Sequence, residues 1–246
     1  MKPEIVVLAD LSAVAIEAAD RIVRLAHESI AAQGRFTIAL SGGSTPRALY
    51  TLLASEEYRD RIEWDRALVF WSDERCVPSD DADSNYRLAH EMLLSKVPIP
   101  SGSVHRVMGE ADPEHAAMLY EQIIRREVPV RDSIPAFDLI LLGMGPDGHT
   151  ASLFPGTAAL HEKHRLVVAS FVPKLNAHRI TFTAPLVNAA ANVMVLVAGS
   201  DKADALRAVL EGEFKPDVLP AQMVRPESGQ LMWLVDRAAA VHLRHR

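Results

Sequence analysis

The stretch FDLILLGMGPDGHT, residues 137–150, decides how this chain is read. Its first half is a continuous apolar run, the pattern of a strand covered on both faces in a layered α/β protein. The run breaks at Gly143 and Gly145 and then presents Asp147 and His149. In an open α/β sheet, ligands bind in the crevice beyond the carboxyl ends of the strands. Glycines let the backbone turn tightly there, and an imidazole moves protons near neutral pH. An arbitrary Asp-Gly-His is more often a surface turn with a capping aspartate. The buried strand and the paired glycines ahead of this one favour proton chemistry.

Working outward, short β-branched or apolar runs recur at 5–8, 36–40, 67–71, 166–169, 180–183, 193–197 and 231–235, besides 139–142. Helical patterns alternate with them, which points to an α/β layered domain. Val14, Ala18, Ile22, Leu25, Ala26 and Ile30 fall at helical spacing, and Gly34 supplies a stop. Glu17 with Arg21 and Asp20 with Arg24 add i,i+4 pairs. A second helix is expected after Asp112-Pro113, with Ala116, Leu119, Tyr120, Ile123 and Ile124 as its apolar stripe. The Pro/Gly/Ser-rich breaks at 97–103, 128–135 and 212–226 read as loops between elements. Residues 1–246 are therefore expected to form one domain.

Composition narrows the function classes. The chain is 49% hydrophobic and 24% charged, ordinary for a globular protein, with a net charge of −6. That charge argues against nucleic acid as a partner and requires any anionic ligand to be captured by a few specific cations. Cys76 is the single cysteine, so neither an intrachain disulfide nor a multi-cysteine metal site can form, and it reads as a small packing residue. His161-Glu162-Lys163-His164 does not match the HExxH zinc pattern, and no metal is expected. The N-terminal MKPEIVVLAD lacks a long apolar signal region, and no run approaches membrane-spanning length. Cytoplasmic residence without a membrane partner is the expectation.

Three constellations carry chemistry. Ser41-Gly42-Gly43-Ser44-Thr45-Pro46-Arg47 follows a strand and opens a helical stretch. Free N–H groups at a helix start favour anions, paired glycines admit a phosphate, and the hydroxyls add donors. Ser or Thr there is a good N-cap, and Pro46 suits the first turn. Arg47 and Lys202 each stand at the start of a helix, where the macrodipole disfavours cations unless an anion lies between them. The second constellation, Trp71-Ser72-Asp73-Glu74-Arg75, ends the third strand. Successive strand residues face opposite sides, so Asp73 and Glu74 should not share one substrate. Arg75 is read either as an anion ligand or as the partner of one of those acids. The third is Asp147-Gly148-His149, where an acid sits beside an imidazole. Arg179, immediately before a strand, is placed to reach the same sheet edge.

Taken together, these residues resemble the 6-phosphogluconolactonase family. The resemblance runs through ALSGGSTPRALY (39–50), WSDER (71–75), SNYRLAHEMLL (84–94), FDLILLGMGPDGHTASLFPGT (137–157), HRITFT (178–183) and GSDKADAL (199–206), in the family's order. It implies a Rossmann-like αβα fold with a mostly parallel sheet, shared with glucosamine-6-phosphate deaminases and isomerases. It implies hydrolysis of a phosphorylated sugar lactone in the pentose phosphate pathway, with no cofactor. On that basis His149 is the general base and Asp147 its orienting acid. Asp73 contacts sugar hydroxyls or orients water, and Arg75 stabilises the oxyanion. Ser41, Gly42, Gly43, Ser44, Thr45, Arg179 and Lys202 hold the phosphate, with Arg47 assisting or shaping the field.

The deaminase pattern has a functional glutamate where this chain has Phe154, and a phenylalanine can neither move a proton nor carry that charge. A non-catalytic sugar-phosphate sensor would keep the phosphate loop but needs no Asp-His pair.

Overall fold

The computed structural model describes residues 3–244; the outermost residues of the expected 1–246 domain lie outside it. Six strands form a fully parallel sheet: β1 (Glu4–Leu8), β2 (Phe36–Leu40), β3 (Ala67–Trp71), β7 (Leu139–Gly143), β10 (Asn192–Val197) and β11 (Gln230–Asp236). Their spatial order is β1-β11-β10-β7-β2-β3. From β2 the chain moves outward to β3, and from β7 it moves the opposite way to β10. The topological switch therefore falls between β2 and β7, where the loops that follow diverge and leave a crevice.

Apart from the partly exposed edge strand β1, the parallel strands are largely buried on both faces, which is why they read as continuous apolar runs. Leu139 and Leu141 of β7 enter one core and Ile140 and Leu142 the other. The first core lies under α1 (Leu11–Gln33), α2 (Ser44–Leu53) and α3 (Asn85–Met92). The second is covered by α4 (Pro113–Glu127), α5 (Ala184–Asn188) and α6 (Ala203–Glu211). Every residue of the expected stripe on α1 is buried, and Gly34 caps that helix in the left-handed conformation. Glu17 pairs with Arg21 at 2.7 Å as expected. Asp20 instead reaches across to Arg61 and Tyr58, while Arg24 pairs with Glu28. Two side chains one turn apart had better-placed partners elsewhere. Asp112 caps α4; Ala116, Tyr120 and Ile124 of its expected stripe are buried together with Ala117, while Leu119 and Ile123 are half-buried at the margin.

One feature departs from the sequence reading. The strands expected at 166–169 and 180–183 do not join the parallel sheet. They form β8 (Val167–Val172) and β9 (Ala177–Phe182), which pair antiparallel with the short β4 (Asp73–Arg75). Apolar periodicity reports burial but not which neighbour a strand pairs with, so this sheet was invisible to it. The break at 128–135 also contains a two-residue hairpin, β5 (Val130–Arg131) and β6 (Ile134–Pro135).

A buried carboxylate anchors the switch point. Asp138, immediately before β7, accepts from the Thr37 backbone N–H and hydroxyl, both at 2.8 Å, and from Gln33 Nε2 at 2.7 Å. Thr37 Oγ1 in turn accepts from the Asp138 N–H at 2.9 Å. We expect Asp138→Ala to strand these donors and lower stability by about 2–4 kcal/mol in urea unfolding. A loss within error would show that the contact does not hold β2 to β7.

Candidate functional site

Loops after β2, β7 and β10, together with β4, enclose a cavity of about 240 Å³ at the carboxyl ends of the parallel strands. Ser41 to Thr45, Asp73, Arg75, His149 and Lys202 all line it. A larger cavity of about 610 Å³ opens at the other end of β1 and β11. Its lining includes Trp233 and Glu4, and Glu4 is already bound to Arg21. Its lining holds no acid–imidazole pair, whereas the smaller cavity is lined by His149 of the Asp147–His149 pair.

The loop after β2 is built to keep donors free. The helix α2 starts at Ser44 with Gly43 as its N-cap, and no side chain caps it. Ser44 and Thr45 therefore stand inside the first turn rather than at the cap, contrary to the sequence expectation. The consequence is favourable for an anion, because the first N–H groups of the helix remain unclaimed by a capping side chain. Tyr50, fully buried, fixes the start of the loop: its hydroxyl donates to the Ser41 carbonyl at 2.6 Å and accepts from the Ser41 N–H at 3.0 Å. Gly42 lies against the amide of Asn85, and a Cβ there would come within 1.8 Å of Asn85 Oδ1.

The WSDER segment splits its two acids as the strand geometry requires. Glu74 turns away from the cavity and serves α3, accepting from the Asn85 and Tyr86 N–H groups at 2.7 and 2.8 Å. Burial pushes its pKa up, opposed by backbone hydrogen bonds from Asn85, Arg75 and Tyr86. Asp73 faces the cavity although only 7% exposed. Ser152 Oγ donates to Asp73 Oδ2 at 2.6 Å, and Asn85 Nδ2 donates to the Asp73 carbonyl at 2.9 Å.

The Arg75 side chain holds neither acid; its guanidinium donates to the Asp83 carbonyl. In register it stands opposite Arg179, which lies inside β9 rather than before a strand. Burial, and then the neighbouring Arg75 charge, push the Arg179 pKa down. Two adjacent guanidinium groups disfavour each other and welcome an anion.

His149 is held on three sides. Its Nδ1 meets Asp147 Oδ1 at 2.5 Å. Its ring stacks on Phe154, with centroids 4.1 Å apart and planes at 22°. The third side is backbone: a Cβ on Gly145 would sit 2.1 Å from the imidazole, so only glycine fits there. Asp147 also accepts from Lys174 Nζ at 3.0 Å. Burial alone would raise the Asp147 pKa, but the hydrogen bonds from His149 and Lys174 outweigh it and bring it to about 2. Asp147 is thus an acceptor at any ordinary pH, which favours the tautomer of the neutral imidazole that carries its proton on Nδ1.

Two expected phosphate ligands differ from the sequence reading. Arg47 does not line the cavity; it reaches Met92 on α3, with its guanidinium 3.6 Å from the sulfur. Arg179 is likewise absent from the lining, though its neighbour Arg75 is present. Lys202 does line the cavity and is paired with Asp201 at 2.8 Å. Sequence reasoning missed Asn85, Ser152 and Lys174. Each is an ordinary polar residue whose role depends on a partner at least ten residues away. Cys76 is half-buried and burial raises its thiol to about 11, in keeping with packing. Among the described residues no cluster of His, Cys, Asp and Glu could hold a metal ion, and no helix is long and apolar enough to cross a membrane.

The Asp147 contacts set a pH dependence. Its folded pKa of about 2 lies below the model-peptide value near 3.8, so its stabilisation is present above about pH 4 and is lost as pH falls towards 2. Asp147→Asn should therefore cost about 1–2 kcal/mol at pH 7, and the gap to the wild type should close between pH 4 and 2. A gap that stays constant across that range would contradict the assignment.

Comparison with known proteins agrees with this geometry. The family described as "Glucosamine-6-phosphate isomerases/6-phosphogluconolactonase" matches residues 9–233. The 6-phosphogluconolactonase of Synechocystis sp. is 45% identical over 219 residues, covering 88% of each chain. That of Nostoc sp. is 41% identical over 247 residues and covers 99% of both. The solved 6-phosphogluconolactonase of Trypanosoma brucei superposes with a TM-score of 0.87 at 30% identity, over 98% of this chain and 99% of that one. With the parallel sheet, the cavity at its switch point and these matches along nearly the whole length, the chain belongs to the glucosamine-6-phosphate isomerase/6-phosphogluconolactonase family.

Proposed function

We propose that this protein hydrolyses 6-phospho-D-glucono-1,5-lactone to 6-phospho-D-gluconate, the hydrolytic step of the oxidative pentose phosphate pathway. The observation that carries this reading is the aromatic clamp on the imidazole. Phe154 stacks on His149 at the position where the deaminase pattern has its functional glutamate. The site therefore supplies one proton-transfer pair, which water attack on an ester carbonyl needs, and lacks the further acid at that position. The sequence similarity to proteins named 6-phosphogluconolactonase supports the same reading.

The residues take the following roles within a single domain. The Ser41-Gly42-Gly43-Ser44-Thr45 loop and Lys202 bind the phosphate, with N–H groups of α2 directed at its oxygens. Fixing the non-reacting phosphate positions C1 of the lactone and reduces the entropic cost of attack. His149 Nε2 takes a proton from water as the water oxygen bonds to C1. Arg75, reinforced electrostatically by Arg179, stabilises the resulting oxyanion. The C1–ring oxygen bond then breaks, and the imidazolium returns its proton to the departing oxygen. Asp147 stabilises the cation in between, and Asp73 holds a sugar hydroxyl or the water. The new carboxylic acid ionises, so each turnover releases one proton. Arg47 shapes the field at the start of α2 without reaching the ligand. No step calls on a metal or an organic cofactor. A charged phosphorylated lactone does not cross a bilayer, which supports placing the enzyme in the cytosol with its substrate.

Proton release from freshly made lactone, corrected for spontaneous opening, tests the reading directly. His149→Ala should lower kcat by about 10²–10⁴-fold with product binding retained. Turnover at the wild-type rate would remove His149 as the base, and ammonia release from glucosamine 6-phosphate would establish the deaminase instead. Lys202→Ala should raise KM about tenfold with kcat little changed, because the phosphate contact is shared by ground and transition states. An unchanged KM would take Lys202 out of the phosphate site.

A further inference from the structure

The antiparallel sheet brings a cation to the proton-transfer pair from the far side. Lys174 lies in the turn joining β8 to β9 and does not itself line the cavity. Its Nζ is 3.0 Å from Asp147 Oδ2, while Asp147 Oδ1 meets His149 Nδ1. Oδ1 also accepts from the His149 backbone N–H at 3.3 Å, whereas Oδ2 accepts from Lys174. Lys174, Asp147 and His149 form a line of alternating charge once the imidazole is protonated. The turn that carries Lys174 is fixed by Asn176 in the left-handed conformation, whose N–H donates to the Pro173 carbonyl at 3.1 Å.

We propose that Lys174 is a positioning residue for the Asp147–His149 pair, with two effects on the reaction assigned above. By occupying Oδ2 it leaves Oδ1 for the imidazole and fixes the tilt of the carboxylate. By offsetting the aspartate charge it disfavours the protonated imidazole, so His149 stays in the neutral, basic form to lower pH. The groups facing the pair define this balance. Phe154 and Gly145 pack on the ring without charge. Asp73 and Arg75 of β4, and Lys202 ahead of α6, line the same cavity and are untouched by a change at Lys174. The side chain of Lys174 is 67% exposed, so its replacement should not disturb folding, and its field should weaken with salt.

The proposal rests on the lactonase reading for its kinetic arm only. Heteronuclear NMR titration of His149 in the wild type, Lys174→Gln and Lys174→Arg reads the charge effect without turnover. The midpoint should rise by roughly 0.2–0.7 pH unit in Lys174→Gln and remain near the wild type in Lys174→Arg. High salt should bring the wild type towards Lys174→Gln. In lactone hydrolysis, Lys174→Gln should move the acid limb of kcat upward by the same amount and lower kcat about 2–5-fold on that limb, with KM unchanged. An unmoved midpoint overturns the proposal, as does a raised KM with an unmoved acid limb, which would make Lys174 a substrate contact. A midpoint that moves in Lys174→Gln, together with a wild type that does not hydrolyse the lactone, would sink the lactonase reading while sustaining the electrostatic one.

Discussion

The site depends on the way β7 is fixed beside β2. The two strands carry the loops that hold the imidazole and the glycine-rich turn before α2, and their onward connections leave in opposite directions. That divergence opens a crevice only if the strands themselves stay in register. The Asp138 carboxylate, bound to the backbone and hydroxyl of Thr37, secures the register at the amino end. Apolar packing on both faces secures it along the rest of β7. Side chains at the carboxyl ends are thereby placed by a rigid scaffold, while the loops supply the chemistry.

The small antiparallel sheet divides the labour differently. Its strand β4 brings Asp73 and Arg75 to one wall of the cavity, and its β8–β9 turn brings Lys174 to Asp147. One sheet thus supplies charged side chains both to the cavity and to the Asp147–His149 pair. Buried tyrosines complete the arrangement: Tyr50 binds the backbone of Ser41, and Tyr120 binds that of Trp71. Tyr50 thus ties down the chain just past β2, and Tyr120 ties down the last residue of the edge strand β3. A hydroxyl that donates and accepts at once satisfies two backbone groups that would otherwise be buried without partners.

Much of this was legible in the sequence. All eight apolar runs fall on strands. Those in the centre of the parallel sheet are buried on two faces, and the partly exposed β1, β8 and β9 still carry enough β-branched and apolar residues to be read. Asp73, Arg75, His149 and Lys202 meet at one cavity as their positions at strand and helix ends implied. Sequence could not show that β8 and β9 leave the parallel sheet, since pairing partners leave no mark on periodicity. Nor could it show that Arg47 turns to Met92, or that Glu74 caps α3 from a strand. Asn85, Ser152 and Lys174 escaped for the same reason: their roles are defined by distance in space, and a polar residue in a loop looks alike whether it faces a carboxylate or water.

The contact between Gly42 and Asn85 also limits how this site can change over evolutionary time. The asparagine amide occupies the volume that any side chain at 42 would need. It also holds the backbone of Asp73, so it cannot withdraw without loosening that acid. Substitutions at 42 and 85 are therefore epistatic: a larger residue at 42 becomes admissible only after Asn85 has been shortened. That first step loosens Asp73 before any gain in the loop is realised. The route to a remodelled glycine-rich loop thus passes through an intermediate with a loosened Asp73, which insulates the pair against drift.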